Sequence, residues 1–354
     1  MSFLFIGSTG NHAGMSLLTW AIARRLRERG LNVGFMKPFG TQPVRINGVW
    51  TDPDAFLLKE ALNLQDPLER ICPNMVSENG WRQKDKEVIV EELRILAQEL
   101  SSEKDILLIM GTQRIFFDES LCPVPDTSFI NALQSDTILV NRYQQPSASL
   151  YSILSVSSLL KERLKGVLLN RVSPEMLEDI TNQTIPSLSQ KGIPIMTAVP
   201  EDPLLSFQTL GDIKETLDGK ILCEEESLGK PIGGMTVSSA DLEGELRIFR
   251  RVYNKIVLLE PYSPDTENGA SPRAVTGILL TGGRTPPPQV VKACKKARVP
   301  LILAEKDTFS AQERLEKHPP RLSPRDENKV RHFTEFLDRN DALNILLQSM
   351  PFLS

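Results

Sequence analysis

The sequence has few cysteines and lacks several features that mark whole classes of protein. Its four cysteines show no paired spacing, which argues against a disulfide framework or a zinc site and favours reduced thiols in a cytoplasm. No apolar run approaches the roughly 20 residues that span a bilayer, and no basic segment of a signal peptide precedes the first predicted strand. The net charge of −4, with acids and bases interspersed, indicates neither a nucleic-acid nor a membrane partner.

What is present is the composition of a globular protein with 354 residues, enough for two domains. Apolar runs alternate with amphipathic segments, which predicts an α/β fold with a parallel, doubly wound sheet. The predicted strands are 3–6, 31–36, 105–112, 137–140, 166–172 and 193–199. A polar, glycine-bearing stretch from about 217 to 234 is predicted to be a linker. A second, smaller α/β set follows, with a helix around 239–250 and strands at 255–259, 277–283 and 300–304. The predicted domains are therefore residues 1–217 and 218–354.

The first strand leads into a glycine-bearing loop and then into a helix, an arrangement that cradles phosphate in nucleotide-binding proteins. Loop amides point inward, and the helix dipole favours an anion at the helix N-terminus. The residues predicted to line the phosphate are Gly10, Asn11, Gly14, Met15 and Ser16. The usual template has a lysine where Met15 stands. The alternative is a simple tight turn, but the position of the loop directly after the first strand favours a phosphate loop that has lost its lysine.

Further candidate residues follow other predicted strands, at the sheet edge where ligands bind in open α/β folds. Lys37 follows the second strand, and Asn170 lies near the end of the strand at 166–172. Asp52 and Asp54 precede a predicted helix, where they either cap the helix or contact a metal ion. The strand at 105–112 carries Met110 where nucleotide hydrolases commonly have a metal-holding acid.

These residues together resemble a known two-domain arrangement. Residues 1 to about 215 resemble the dethiobiotin-synthetase-like P-loop domain of long bacterial phosphotransacetylases, and residues about 216 to 335 resemble the DRTGG domain that follows it there. The matching segments are 7–16, Lys37-Pro38, Asp52-Pro53-Asp54-Ala55, 168–172, Pro200-Glu201-Asp202-Pro203-Leu204 and 278–283. The acetyltransferase domain of those enzymes is not found in the sequence, which ends at Ser354.

The resemblance implies roles for several positions. It implies that Ser16 holds phosphate and a metal ion, that Lys37 lies near the reacting groups, and that Asn170 reads adenine. It makes Asp54 a second candidate metal contact and places Pro200 in the nucleotide site. It also implies a homo-oligomer. The acidic-arginine signature of the DRTGG family is not evident after Leu259, so no ligand is predicted for the second domain.

The two methionines determine the predicted function. Removing one well-placed donor from a phosphoryl-transfer site typically costs about 10²- to 10³-fold in rate, whereas binding through main-chain amides suffers less. We therefore predict a regulatory protein that binds ATP or ADP, with a weakened Mg²⁺ site and little hydrolysis, and that acts through a partner enzyme. Two alternatives stay open: an active ATP-dependent ligase or kinase of the dethiobiotin synthetase type, and a structural or assembly subunit that binds no nucleotide.

Overall fold

The computed structural model divides the chain into two compact units. The described residues are 2–76, 85–112, 115, 124–143, 145–206, 208–238, 256–261, 275–317 and 321–348. The first unit comprises Met1–Asp202 together with Leu322–Ser354, and the second comprises Pro203–Arg321. In the chain, the second unit is thus an insertion between the last strand of the first unit and two C-terminal helices.

The first unit contains β1 Ser2–Ser8, α1 Met15–Glu28, β2 Val33–Met36, β3 Phe39–Gly40, β4 Val44–Ile46, β5 Val49–Thr51, α2 Pro53–Ala61, α3 Leu68–Ile71, β6 Asn74–Met75, α4 Lys86–Leu100, β7 Ile106–Met110, α5 Asp126–Leu133, β8 Asp136–Arg142, α6 Pro146–Leu160, β9 Leu164–Val172, α7 Pro174–Asp179, α8 Ile185–Gln190 and β10 Ile195–Pro200. Its central sheet has the order β10-β9-β8-β1-β7-β2, and every neighbouring pair is parallel. The predicted parallel α/β sheet is confirmed.

Strand β1 occupies the middle of this sheet, between β7 and β8. Leu4, Phe5 and Ile6 are all buried, and since successive strand residues point to opposite faces, β1 is covered on both. This explains its continuous apolar run, because strands of parallel sheets are buried on both sides. β7 and β2 lie on one side of β1, and β8 lies on the other. The strand order therefore reverses at β1, and in open α/β sheets ligands bind in the crevice at such a point.

The second unit contains α9 Pro203–Ser206, β11 Gln208–Thr209, α10 Leu210–Thr216, β12 Lys220–Cys223, β13 Pro231–Ser238, β14 Ile256–Pro261, β15 Gly277–Leu280, α11 Pro288–Ala297, β16 Leu301–Leu303 and α12 Thr308–Lys317. Its sheet has the order β11-β13-β14-β15-β16-β12 and is antiparallel except for the β15–β16 pair. Ile278 and Leu280 pack with α11, whereas Leu279 faces α10 and α12. Both faces of β15 are therefore covered.

Two expectations about this part of the chain need correction. The stretch from 217 to 234 is not a linker, because it contains β12 and the start of β13, and Cys223 and Ile232 are buried there. The boundary expected at residue 217 also differs from the observed division, since Leu210 and Ile213 of α10 belong to the core of the second unit. The helix predicted around 239–250 lies outside the described residues.

The C-terminal helices α13 Glu327–Arg339 and α14 Ala342–Gln348 belong to the first unit. Helix α13 packs against α1, where Arg25 Nε donates to Asp338 Oδ1 at 3.2 Å. Its buried residues Val330, Phe333 and Leu337 follow the helical repeat and form one apolar stripe. His332 Nε2 lies 2.6 Å from Asp202 Oδ2, directly after β10. The sequence did not assign these helices to the first unit because their partners are distant along the chain.

The structure also bears on the cysteines and on the question of a membrane-spanning helix. In the part of the chain that is described, Cys72, Cys223 and Cys294 are free and buried. No helix within the described ranges is both long enough and apolar enough to serve as a bilayer span.

We predict that Phe333→Ala destabilises the first unit. Its side chain is fully buried, and truncating a buried phenylalanine typically costs about 3–5 kcal/mol. All three tryptophans precede residue 82, so urea unfolding followed by tryptophan fluorescence reports on this unit. We expect Phe309→Ala, at a residue 76% exposed in the second unit, to leave that transition unchanged. An unaltered transition for Phe333→Ala would show that α13 adds nothing to the stability of the first unit.

Candidate functional site

The loop between β1 and α1 is held at both ends. Thr9 N donates to Val140 O at 3.2 Å, and Asn141 Nδ2 donates to Thr9 Oγ1 at 2.7 Å, which ties the start of the loop to β8. Gly14 precedes the first helical residue with φ of 100°, a value that favours glycine. No side chain caps the first turn of α1, which also lacks acidic residues. The helix N-terminus thus keeps the polarity that favours an anion.

Ser16, in the first turn of α1, contacts the residue that the sequence proposed as its metal-binding partner. Its hydroxyl donates to Asp54 Oδ1 at 2.7 Å. The other oxygen of Asp54 accepts from Lys37 Nζ at 2.6 Å. The structure therefore brings Ser16, Lys37 and Asp54 together from α1, the end of β2 and α2.

Asp52 and Asp54 make different contacts, which bears on the two alternatives left open by the sequence, helix capping and a metal contact. Asp52 is the N-cap of α2, where its side chain accepts from Asp54 N at 2.9 Å. It also accepts from the amides of Thr41 and Gln42 at 2.9 and 3.1 Å and from Lys37 Nζ at 2.8 Å. Capping is therefore the observed role of Asp52, whereas a metal contact stays a prediction for Asp54.

Lys37 is a buried ammonium between two carboxylates. Burial lowers its pKa, but the charges of Asp54 and Asp52 outweigh burial and hold the pKa above its ordinary value of 10.5, so Lys37 is charged. One ammonium facing two carboxylates leaves the group with one formal negative charge. A phosphate that approaches Lys37 therefore meets a cation already neutralised by its neighbours.

The two methionines noted in the sequence are both buried. Met15 is the first residue of α1, and Met110 ends β7 opposite Ile6 of β1. Neither side chain can supply the charge that a lysine or a glutamate would bring to these positions. At both positions an apolar side chain therefore stands where the motif has a charged one, and it fills the space.

A carboxylate that the sequence analysis missed lies just beyond β7. Asp126, the first residue of α5, is buried and accepts from Thr112 N at 3.0 Å and from Thr112 Oγ1 at 3.1 Å. A Cβ added at Gly111 would lie 2.4 Å from Asp126 Oδ2, so the close approach requires glycine. Burial raises the pKa of Asp126 to about 7, against the opposing effects of Thr112 and of the charge of Lys37. The sequence does contain a signal for this residue: an acid directly before apolar residues at helical spacing, which is typical of the start of a helix.

Asn170, near the end of β9, contacts the loop itself. Its Nδ2 donates to Ala13 O at 2.7 Å, and its Oδ1 accepts from Arg171 N at 2.9 Å. A Cβ at Gly14 would lie 2.4 Å from Asn170 Nδ2. Asn170 and Gly14 are therefore neighbours, and the observed contacts of Asn170 position the loop. Its predicted role in reading adenine stays a prediction.

The remaining predicted residues lie farther from this group. Gly10 is partly exposed, and its carbonyl accepts from Ser8 Oγ at 2.8 Å; Asn11 is exposed. Pro200 pairs with Val172 of β9, and the next amide, Glu201 N, donates to Val172 O at 2.7 Å. The described contacts therefore do not join Pro200 to the loop.

The residues present fit a magnesium ion only in part. Within the described ranges, no group of three or more His, Cys, Asp or Glu side chains is placed to hold a metal ion. Ser16 and Asp54 offer oxygens on adjacent side chains, and Mg²⁺ commonly takes one or two protein ligands with water and phosphate oxygens. An ion bound there would supply positive charge to a phosphate, with Ser16 and Asp54 as its protein ligands.

Comparison with known proteins agrees with the resemblance noted from the residues. The AAA domain family matches residues 3–209, and the DRTGG domain matches residues 212–318. The phosphate acetyltransferase of Synechocystis sp. is 22% identical over 98% of this chain and 52% of its own length. The dethiobiotin synthetase of Thermodesulfovibrio yellowstonii is 23% identical over 59% of this chain and 92% of its own length. The chain thus spans about half the length of the phosphate acetyltransferase.

Solved structures give a weaker likeness. The cell division protein MinD of Aquifex aeolicus is 19% identical, with a TM-score of 0.37 over 58% of this chain and 84% of its own. The signal recognition particle receptor FtsY of Elizabethkingia anophelis is 11% identical, with a TM-score of 0.35 over 57% of this chain and 59% of its own.

Asp126→Asn should remove a pH-dependent loss of stability. The folded protein holds the Asp126 proton up to a pH of about 7, whereas the ordinary carboxyl pKa is 3.8. The folded state therefore binds more protons than the unfolded state between these values, and the carboxyl lowers the free energy of unfolding as the pH rises through this window. We expect the variant to gain up to about 4 kcal/mol relative to the parent protein between pH 4 and pH 8.

Urea unfolding at pH 4, 6 and 8, followed by tryptophan fluorescence, measures this difference. Asp179→Asn, at an exposed position of α7, is the matched control and should follow the parent protein. The same pH dependence of stability in Asp126→Asn and in the parent protein would contradict a raised pKa for Asp126.

Proposed function

The chain belongs to the AAA domain family, and we propose that its first unit binds ATP or ADP at the loop between β1 and α1, hydrolyses it little, and thereby regulates a partner enzyme. The observation that carries this proposal is the ion-pair group of Lys37, Asp52 and Asp54. The cation at the candidate site is held by two carboxylates instead of being directed at a phosphate.

Binding rests on main-chain polarity. Gly14 leads directly into α1, whose first turn carries no side-chain cap. Such a helix N-terminus attracts phosphate through its amides and its dipole. Ser16 adds a hydroxyl to the same turn, and Ser16 and Asp54 would hold a magnesium ion that supplies positive charge to the phosphates. Asn170 positions the loop from the neighbouring strand end.

Hydrolysis needs more than this arrangement offers. Phosphoryl transfer depends on positive charge placed against the charge that develops in the transition state. Met15 supplies none, and the charge of Lys37 is offset by Asp52 and Asp54. Asp126 would add a negative charge when ionised, although it is fully engaged with Thr112. These features support a site that binds nucleotide without fast turnover.

The relatives support a role on a partner enzyme. The phosphate acetyltransferases align over both units of this chain and are about twice as long. We therefore propose that the two units together form a nucleotide- or metabolite-responsive module and that the partner is an enzyme of acyl-phosphate metabolism. Neither a nucleic acid nor a membrane is part of this proposal.

Restoring the loop lysine should strengthen nucleotide binding. A charge-assisted hydrogen bond contributes roughly 1.5–3 kcal/mol, so we expect Met15→Lys to lower the Kd for Mg-ATP about ten- to a hundred-fold in isothermal titration calorimetry. Leu17→Lys is the matched control. It adds the same charge to the same helix two residues farther on, about 200° around the helix axis from Met15. Absence of any heat with Mg-ATP or Mg-ADP, in both the parent protein and Met15→Lys, would overturn the proposal.

An ATP-dependent ligase or kinase is the second candidate function. It is favoured by the contacts of Asp54 with Ser16 and with Lys37. The resemblance implies phosphate and metal binding for Ser16, a metal contact for Asp54, and a position near the reacting groups for Lys37. The two functions differ in turnover. We expect phosphate release from ATP to stay at background in the parent protein and in Lys37→Met. Turnover of about 1 s⁻¹ or more that is lost in Lys37→Met would establish the enzyme instead.

A further inference from the structure

The carboxyl ends of β8 and β9 bring two arginines to neighbouring positions. Arg142 is the last residue of β8 and pairs in register with Asn170 of β9, which directly precedes Arg171. The next amide along the chain, Tyr143 N, donates to Asn170 O at 2.8 Å, so the two strand ends stay together beyond Arg142. This edge of a parallel sheet is where ligands bind in open α/β folds.

The backbone holds Arg171 in a conformation that arginine rarely adopts. Its φ is 55°, in the left-handed region that favours glycine. The side chain of Asn170 supports this conformation, because its Oδ1 accepts from Arg171 N at 2.9 Å. Backbone strain of this kind persists only where the surrounding structure imposes it, and it clusters at ligand sites. The neighbours of Arg171 therefore fix its position, against its own conformational preference.

The charges around Arg171 do not neutralise it. In the described part of the chain its guanidinium forms neither an ion pair nor a hydrogen bond, although the residue is partly buried. Burial and the positive charge of Arg142 lower the pKa of Arg171, and the negative charge of Glu201 raises it by less. Neighbouring cations repel, and an anion bound to both removes that repulsion. Lys37 is the opposite case, because two carboxylates already pair with it.

The residues that precede the two arginines hold the glycine-bearing loop at both ends. Asn141 donates to Thr9 at the start of the loop, and Asn170 donates to Ala13 O near its end. The backbone of both arginines therefore lies next to the loop. Their positive charge comes from the ends of β8 and β9, whereas the neutralised lysine stands at the end of β2.

A phosphate group matches such a pair of cations. A guanidinium presents its N–H donors in a planar fork, which binds two oxygens of a phosphate or a carboxylate. A phosphate monoester carries close to two negative charges at neutral pH. One phosphate can thus accept hydrogen bonds from two arginines and balance both charges, whereas a monocarboxylate balances only one.

We propose that Arg142 and Arg171 form an anion site for the phosphate group of a small molecule, at the carboxyl ends of β8 and β9. The phosphate belongs either to a nucleotide that also occupies the loop or to a separate phosphorylated metabolite, and the recognition chemistry is the same for both. This inference does not depend on the proposed nucleotide function, because inorganic phosphate alone tests it.

Isothermal titration calorimetry of the full chain with inorganic phosphate and with acetate tests the site. We expect the parent protein to bind phosphate more tightly than acetate. Arg171→Gln and Arg142→Gln should each weaken phosphate binding about ten- to a hundred-fold, because each loses a charge-assisted hydrogen bond. Arg171→Lys keeps the charge without the planar fork, so its affinity should lie between those of the parent protein and Arg171→Gln.

Arg298→Gln is the matched control. Arg298 also has a left-handed backbone, with φ of 53°, but it is exposed and belongs to the second unit. We expect this control to bind phosphate as the parent protein does. Urea unfolding followed by tryptophan fluorescence checks the fold of the first unit. We expect Arg171→Gln to unfold at no lower a urea concentration than the parent protein, because the substitution removes a repulsion and breaks no ion pair.

A second phosphate titration, in the presence of Mg-ADP, identifies the source of the phosphate. Loss of phosphate binding would assign the site to the phosphate of a nucleotide, and unchanged binding would assign it to a separate metabolite. No phosphate binding by the parent protein, equal affinity for acetate, or unchanged phosphate affinity in Arg171→Gln or Arg142→Gln would each overturn the proposal. So would an equal loss in Arg298→Gln or a lowered urea midpoint in Arg171→Gln.

Discussion

The ion pairs of Lys37 with Asp52 and Asp54 are the interaction on which the candidate site depends. An ammonium that is 3% exposed requires counter-charges, because a lone buried charge is strongly unfavourable. Both carboxylates come from the start of α2, and Asp54 also accepts from Ser16 at the start of α1. One buried cation thereby holds the end of β2 and the first turns of two helices in a single arrangement. The removal of either carboxylate would leave Lys37 with a single counter-charge and one hydrogen-bond partner fewer.

The same arrangement limits what the site can do with a phosphate. The positive charge of Lys37 is paired with the carboxylates of Asp52 and Asp54. The attraction for an anion therefore comes mainly from the amides of the loop and from the dipole of α1. Neighbouring strand ends hold the loop in place, because Asn170 packs against Gly14 and bonds Ala13 while Asn141 bonds Thr9. These features support the proposed function, because the site offers shape and fixed dipoles but little free charge.

Helices α6 and α13 differ in where their charges and their apolar rows lie. Helix α13 buries an apolar stripe against its own unit, with Arg25–Asp338 and Arg24–Glu327 ion pairs beside it. Helix α6 buries one face in the same unit and presents a second apolar row outward, without any charge. The first pattern completes the fold of the unit, whereas the second leaves an uncharged apolar row on its surface.

The sequence by itself determined the strand, loop and helix at the N-terminus, the parallel sheet and the two missing polar residues. These are local signals: an apolar run, glycines, helical spacing, and a methionine where a motif has lysine. Only the tertiary structure decided that Asp52 caps α2 while Asp54 faces Ser16, 38 residues away in the chain. It also decided that Asp126 reaches the end of β7, that α13 returns to α1, and that residues 220–223 and 231–238 form strands rather than a linker. The reason is common to all four: each depends on which distant segments meet, and that is set by the packing of whole elements rather than by the residues on either side.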